Sequence, residues 1–350
     1  MKRNAWLFIS AIIALVFVWG VPRTLADEFY KNKTIRFVVG APAGGGYDTY
    51  TRAVARHLGK HIPGNPSMVV QNMEGAGSLI AANYVYNKAE PDGLTIGVWI
   101  SGQIIRDALG DRSTRFDARK FGWIAAPHTG SPTCAMMGFS GLKTWHDVVN
   151  AKRTIRMGGV RAGTSYDDVP RILNNVAGTK FEVITGYAGT APVRLALKRQ
   201  EVEGACLGWE SMRVSNRAML DATGDDELIP FITHKRLEDP EVKDLPLFTE
   251  VIKGEDSLAT YKTWTASYEF QRPFSLPPNT PSERLQTLRK AFAATLRDAE
   301  FLADAQKARL DIEPVSGEEI EGYVRQIYSM SAKVKQNLSF LVRPSQRQSN

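Results

Sequence analysis

The sequence predicts an α/β protein of two lobes with a ligand crevice between them. Three observations carry that expectation. A glycine-rich turn, Gly40 to Gly46, separates an apolar run, Ile35 to Val39, from a segment of helical spacing. The same strand–turn–helix order returns later, from Thr154 through Gly163-Thr164-Ser165 and again through Gly186-Tyr-Ala-Gly-Thr190. A chain of 350 residues also exceeds what one compact core usually holds.

The first residues read as a leader. Lys2 and Arg3 precede an apolar run from Ala5 to Val21, and Thr24-Leu25-Ala26 offers small residues where a signal peptidase inspects them. Cleavage is expected between Ala26 and Asp27, which makes the mature protein exported; the competing reading is an uncleaved anchor. Cleavage removes Lys2, Arg3 and Arg23 and lowers the net charge from +7 to +4. That mild excess, with aromatics scattered rather than clustered with Lys and Arg, argues against a nucleic-acid partner and suits small anions. Cys134 and Cys206 are the two cysteines. In an oxidising compartment they form either a bridge or two separate buried thiols.

In chain order, Ile35 to Val39 is the first strand. Asp48 to His61 is a helix with Tyr50, Val54 and Leu58 on one face, stopped by Pro63-Gly64-Asn65-Pro66. Ser67 to Gln71 is a strand, Asn72 to Gly77 a second glycine turn, Ser78 to Lys88 a helix, and Leu94 to Ile100 a third strand ending at Ser101-Gly102. Strands alternating with crossover helices predict a parallel sheet covered on both faces. The ligand crevice of such a sheet lies beyond the carboxyl ends of its strands, where all three turns fall.

The second unit runs from strand Thr154–Gly158 to a helix over Asp167–Val176. A strand Lys180–Thr185, a helix Pro192–Arg199 and a strand from Glu203 to Leu207 follow. Phe270 to Leu276 reads as a late strand. Thr280 and Pro281 then cap and open an amphipathic helix over Ser282–Leu296. Helices Glu300–Leu310 and Gly317–Val334 complete the chain, and the polar tail after Phe340 is expected to fray.

The candidate ligand residues follow from these turns. Pro42, Ala43, Gly44, Gly45 and Gly46 let a ligand approach the backbone at a helix N-terminus, where N–H groups lack partners and the helix end is partly positive. Asp48 either shapes this loop or reaches a ligand hydroxyl or amine. Gly163, Thr164, Ser165, Gly189 and Thr190 repeat the arrangement in the second lobe, with helix capping as the alternative role of the hydroxyls. Ser101 stands with them. Arg161 offers a two-pronged grip on a carboxylate, or else is a solvated loop residue. Tyr187 is a ligand wall or an interlobe contact, and Glu210 is equally surface or site.

The order of motifs resembles the extracytoplasmic solute receptors of tripartite tricarboxylate transporters, the Bug or TctC-type family. The family's first-lobe turn matches Pro42-Ala-Gly44-Gly45-Gly-Tyr-Asp48, with Arg52 after it. Its next two turns match Asn72-Met-Glu-Gly75-Ala76-Gly77 and Pro91-Asp92-Gly93-Leu94-Thr95. The second-lobe motifs match Gly163-Thr164-Ser165 and Tyr187-Ala-Gly189-Thr190-Ala191-Pro192. The chain differs at Asp167, where the family has a His, and at Thr185-Gly186 and Ala196-Leu197. The resemblance implies a type II periplasmic binding protein fold: two Rossmann-like lobes joined by crossing strands, closing over one ligand. The expected division is residues 1–26 as signal peptide, 27–130 with 236–350 as the first lobe, and 131–235 as the second.

It further implies a periplasmic monomer that holds a di- or tricarboxylate, or a related organic acid, and delivers it to membrane permease subunits. No cofactor, metal or catalytic residue is expected. Enzyme patterns fail in the sequence itself. The first loop lacks the third glycine of a dinucleotide fingerprint, and no phosphate-binding Gly-Lys-Ser/Thr or nucleophile elbow occurs. The five His are scattered. A ligand subunit of a sensor kinase and an exported hydrolase are the rival readings.

Overall fold

The computed structural model describes residues 29–339. The leader reading and the frayed tail lie outside those residues. Among the described residues, no helix is long and apolar enough to cross a membrane.

Two sheets organise the chain. The first begins with β1 (Thr34–Val39), whose apolar side chains are sealed on both faces: Ile35, Phe37, Val38 and Val39 are fully buried. A helix α1 (Gly46–Leu58) leads to β2 (Ser67–Asn72), and α2 (Leu79–Asn87) leads to β3 (Thr95–Val98). Both β2 and β3 pair with β1 in parallel, as crossover helices require. After α3 (Gly102–Ala108), β4 (Gly122–Ala126) completes this part, and the chain passes directly into the second sheet at β5 (Pro132–Met137).

The second sheet contains β6 (Ile155–Gly158), α4 (Ser165–Ala177), β7 (Phe181–Ile184), α5 (Thr190–Lys198) and β8 (Gly204–Gly208). A short α6 (Trp209–Ser215) precedes β9 (Leu228–Thr233), and α7 (Glu255–Thr265) carries the chain back towards β10 (Phe274–Leu276). The strand orders are β11-β4-β10-β3-β1-β2 and β7-β6-β8-β5-β9, with β11 at Val315–Ser316. Two packed α/β lobes result.

Several elements differ from the sequence expectation. Both sheets are mixed, not parallel. β10 runs antiparallel to β3 and β4, and β5 runs antiparallel to β8 and β9, because the chain enters these positions by crossing from the other sheet. The late strand is confined to Phe274–Leu276, since Arg272 adopts a positive φ of 56° just before it. Thr280 does not cap the following helix: its hydroxyl donates back to the Pro277 carbonyl, and Pro281 is the cap residue of α8 (Ser282–Thr295). After α9 (Ala299–Lys307), the terminal helix read over Gly317–Val334 is two, α10 (Gly317–Tyr328) and α11 (Ala332–Leu338), the second begun by a Ser331 cap on the Val334 N–H.

The two cysteines are joined. Cys134 on β5 faces Cys206 on β8 across the antiparallel pair, and the disulfide is fully buried.

The two crossing segments pair with each other. His128 and Gln271 form an isolated antiparallel bridge in which the Gln271 N–H donates to the His128 carbonyl at 2.9 Å. The Gly130 N–H donates to Tyr268 at 2.6 Å. The hinge is thus a short, buried, two-stranded crossing.

Candidate functional site

A cleft between the lobes encloses about 820 Å³ of non-atom space, part of it open to solvent. Loops at the carboxyl ends of strands from both sheets line it, and so do the first residues of three helices: Gly46 of α1, Ser165 of α4 and Thr190 of α5. These helices run 13, 13 and 9 residues, so each presents unpaired N–H groups and a partial positive charge at its start. The Gly46 position is crowded. A Cβ there would lie 2.6 Å from Ser211 Oγ and 2.8 Å from an Arg272 guanidinium nitrogen, so any larger residue must displace those two side chains.

Nine of the residues singled out in the sequence line the cleft: Pro42, Ala43, Gly45, Gly46, Thr164, Ser165, Gly189, Thr190 and Glu210. Gly44, Asp48, Ser101, Arg161, Gly163 and Tyr187 stand outside the lining. Asp48 holds the first loop together. Its buried carboxylate accepts from the Gly44 N–H (2.9 Å), Arg52 Nε (3.0 Å) and Asn72 Nδ2 (2.9 Å). Burial acts to raise its pKa, but the bonds from Arg52, Gly44 and Asn72 outweigh that and hold it below the usual carboxylate value. Asn72 also donates to the Ala41 carbonyl, tying the first two glycine turns together.

Ser101 is fully buried, donates to the Ser267 carbonyl and accepts from Gln271 Nε2, so it fixes a residue that does line the cleft. Arg161 donates to Ser113 Oγ at 3.1 Å, and the Tyr187 hydroxyl reaches Glu201 at 3.3 Å. Gly163, with φ of 89°, donates its N–H to Asp168 Oδ1 at 3.0 Å. The other oxygen of Asp168 accepts from Trp264 Nε1 at 3.0 Å. Burial pushes the Asp168 carboxyl up to about 7, against the lowering effect of those two donors.

On the hinge side of the cleft, sequence reasoning weighed Glu210 but missed Arg272. Arg272 is 1 % exposed. It donates to Ser211 Oγ at 2.6 Å, lies over the rings of Tyr50 (4.3 Å) and Tyr47 (5.2 Å), and sits 3.6 Å from a Glu210 carboxylate oxygen. It also donates to His128 Nε2, whose ring is oriented by a contact between Nδ1 and the Thr129 carbonyl. Burial, and then the Arg272 charge, push His128 well below its usual value, so it accepts as a neutral ring. Burial raises Glu210, and Arg272 opposes the shift. Tyr47, Tyr166 and Tyr268 complete the lining. Tyr47 and Tyr166 directly follow Gly46 and Ser165, so their first-turn positions were readable; Arg272 had no local signal.

Among the described residues, one group with metal-ligand spacing, His57, Asp298 and Glu300, lies away from the cleft, and Lys60 already bridges its two carboxylates.

No family model matches the chain. It is 28% identical over 210 residues to the UPF0065 protein in the TAR-I ttuE-ttuC' intergenic region of Agrobacterium vitis. That match covers 59% of this chain and 58% of the relative's length. Among solved structures it superposes on the periplasmic binding protein BugD with a TM-score of 0.68 at 19% identity, over 89% of this chain and 98% of BugD. A TctC solute binding protein from Polaromonas gives 0.59 at 19%, over 89% and 99%. The chain has the TctC and Bug fold. The resemblance carried by five motifs is borne out. MatC from Rhodopseudomonas palustris, solved with bound malate, shares this TctC/Bug architecture with a TM-score of 0.66 at 18% identity, over 89% and 99%.

Proposed function

We propose that this chain is an exported receptor that captures a small organic carboxylate in the cleft and presents it to membrane permease subunits of the tripartite tricarboxylate type. The observation that carries the reading is the meeting of three helix N-termini, at Gly46, Ser165 and Thr190, on one interlobe cavity. Such ends attract an anion through N–H groups and partial charge without a counter-ion of their own. The hydroxyls of Ser165 and Thr190 add donors; Thr190 Oγ1 already accepts from Tyr166 at 2.9 Å, which fixes its orientation. The malate bound to MatC agrees with this chemistry, and TctC, a solute binding protein, and BugD, a periplasmic binding protein, agree with a binding role.

Binding is the whole task in this reading, with no reaction on the ligand. The acid favours the form in which both lobes touch it, and that preference drives closure. Export through a leader cleaved after Ala26 places the receptor in the periplasm. Residues 27–130 with 236–350 form one lobe and 131–235 the other.

Titration calorimetry of the mature chain against a panel of organic acids, amides and nucleosides tests the proposal. One carboxylate per monomer is expected, with a melting temperature that rises with ligand concentration. Binding of amides or nucleosides with no acid bound overturns it.

A further inference from the structure

Each lobe clasps its glycine loop with an acid from the first turn of the following helix, but only one of the two acids has a cation. In the first lobe Asp48 accepts the Gly44 N–H and is paired with Arg52, one turn on, at 2.9 Å. In the second, Asp168 accepts the Gly163 N–H at 3.0 Å, and its other oxygen meets only the neutral Trp264 Nε1–H. Among the described residues no basic side chain forms an ion pair with Asp168, which is 1 % exposed. We propose that capture of an acid in the cleft takes up a proton at Asp168, so that the receptor holds its ligand more weakly as pH rises above neutral. The inference rests on the receptor reading above and adds a coupled proton to it.

The placement of Asp168 makes its charge and the ligand's compete. Gly163, whose N–H it accepts, directly precedes Thr164 and Ser165, and both of these line the cleft at the start of α4. An ionised Asp168 therefore takes one N–H of that loop and offsets the partial positive charge that would attract a ligand carboxylate. Two anions beside one buried helix start repel in a poorly solvated wall. A bound proton removes the repulsion, while the remaining carbonyl oxygen still accepts from Gly163.

The groups facing Asp168 do not supply the missing charge. Asp167, beside it on α4, is itself buried and adds negative charge; the cation nearest to it, Arg171, stands 3.8 Å away. Arg106 approaches from α3 but is bound to Asp111 and to the Ala162 carbonyl. Trp264 of α7 does not titrate, and burial keeps the hydroxyl of Tyr268, on the crossing segment, protonated. Burial already sets the Asp168 carboxyl at about 7, so a ligand charge nearby moves it within the neutral range. The sign follows from linkage. Affinity is constant while Asp168 is protonated in the free receptor, falls as pH rises through its free value, and levels above its value in the complex. Asp48, held ionised by Arg52, Gly44 and Asn72, contributes no such proton.

Calorimetry of the mature chain at pH 7.5 in HEPES and in Tris, buffers of different ionisation enthalpy, counts the protons. The probe is the acid of the panel that binds most tightly, malate, adipate and benzoate among those tried; above about pH 6.5 their carboxyls are ionised. For a tenfold coupling between the two charges, about half a proton is taken up per acid, and affinity falls about fivefold between pH 6.5 and 8.5. Asp168→Asn is expected to bind the same acid without proton uptake and with an affinity flat over that range. No uptake by the wild type overturns the inference and leaves the receptor reading standing. Uptake that persists in Asp168→Asn assigns the proton to another buried acid, Glu210 first, and overturns it as well. If Asp168→Asn does not fold, Trp264→Phe replaces it: loss of a donor to the carboxylate should move the fall in affinity to higher pH, and an unmoved profile overturns the inference. Failure of every acid of the panel overturns both readings.

Discussion

Asp48 and Asp168 are the two buried acids that shape the cleft loops, and they respond to pH in opposite directions. Asp48 is held below its usual value by its donors, so its contribution to stability is present at neutral pH and is lost as pH falls through the depressed value. Asp48→Ala leaves the Gly44 N–H and Asn72 without their acceptor and is expected to cost about 1–3 kcal/mol, read as a lower melting temperature at pH 7 that converges on the wild type in acid. Asp168 is raised to about 7, so the folded state retains a proton that the unfolded state releases near pH 4. Stability of the wild type relative to Asp168→Asn should therefore fall as pH rises from about 4 to about 7 and level off above. A flat difference across that range would show that Asp168 does not titrate there. At Gly46 the expectation is steric. Gly46→Ala places a methyl against Ser211 and Arg272 and should weaken acid binding at least about tenfold, by calorimetry, while unfolding stays cooperative.

At the scale of elements, legibility followed how local each signal was. The first three strands could be read within about two residues and their helices within about three, because glycine turns punctuate them and the central strands β1 and β3 are continuous buried runs. The turns that placed Gly45, Gly46, Thr164, Ser165, Gly189 and Thr190 on the cleft are likewise local. The hinge was not legible. Its pairing joins His128 to Gln271, and Arg272 acquires its role only because that crossing carries it under α1 and beside α6. Asp48 was recognised as unusual, but Asn72, the partner that shows its loop-holding task, lies on the next strand. The disulfide belongs to the same class: sequence allowed it, and the register of β5 with β8 makes it. Replacing both cysteines with alanine removes a buried cross-strand tie that closes a long chain segment. The expected loss is about 2–4 kcal/mol, measured by denaturant unfolding of mature protein against the wild type.

For the whole molecule, the two sheets are joined only through paired crossing segments, while the lobes also meet along the rim of the cleft. Pro42 lies against Gly189, Arg213 of α6 bonds to Asp311 from the other lobe, and α3 meets the loop before α4. The last contact is the tightest. A Cβ on Gly102, the first residue of α3, would sit 2.1 Å from the Gly163 carbonyl oxygen, a backbone atom that cannot rotate away. The approach therefore depends on glycine at this position. Gly102→Val should leave each lobe folded and hold the lobes apart. Small-angle scattering of the variant with the tightest-binding acid of the panel is then expected to lack the contraction that closure predicts for the wild type, and affinity to fall at least about tenfold, because the ligand no longer gains contacts from both lobes together. Contraction and affinity equal to the wild type would mean that closure does not bring Gly102 against Gly163, and that the clamp shuts about another axis.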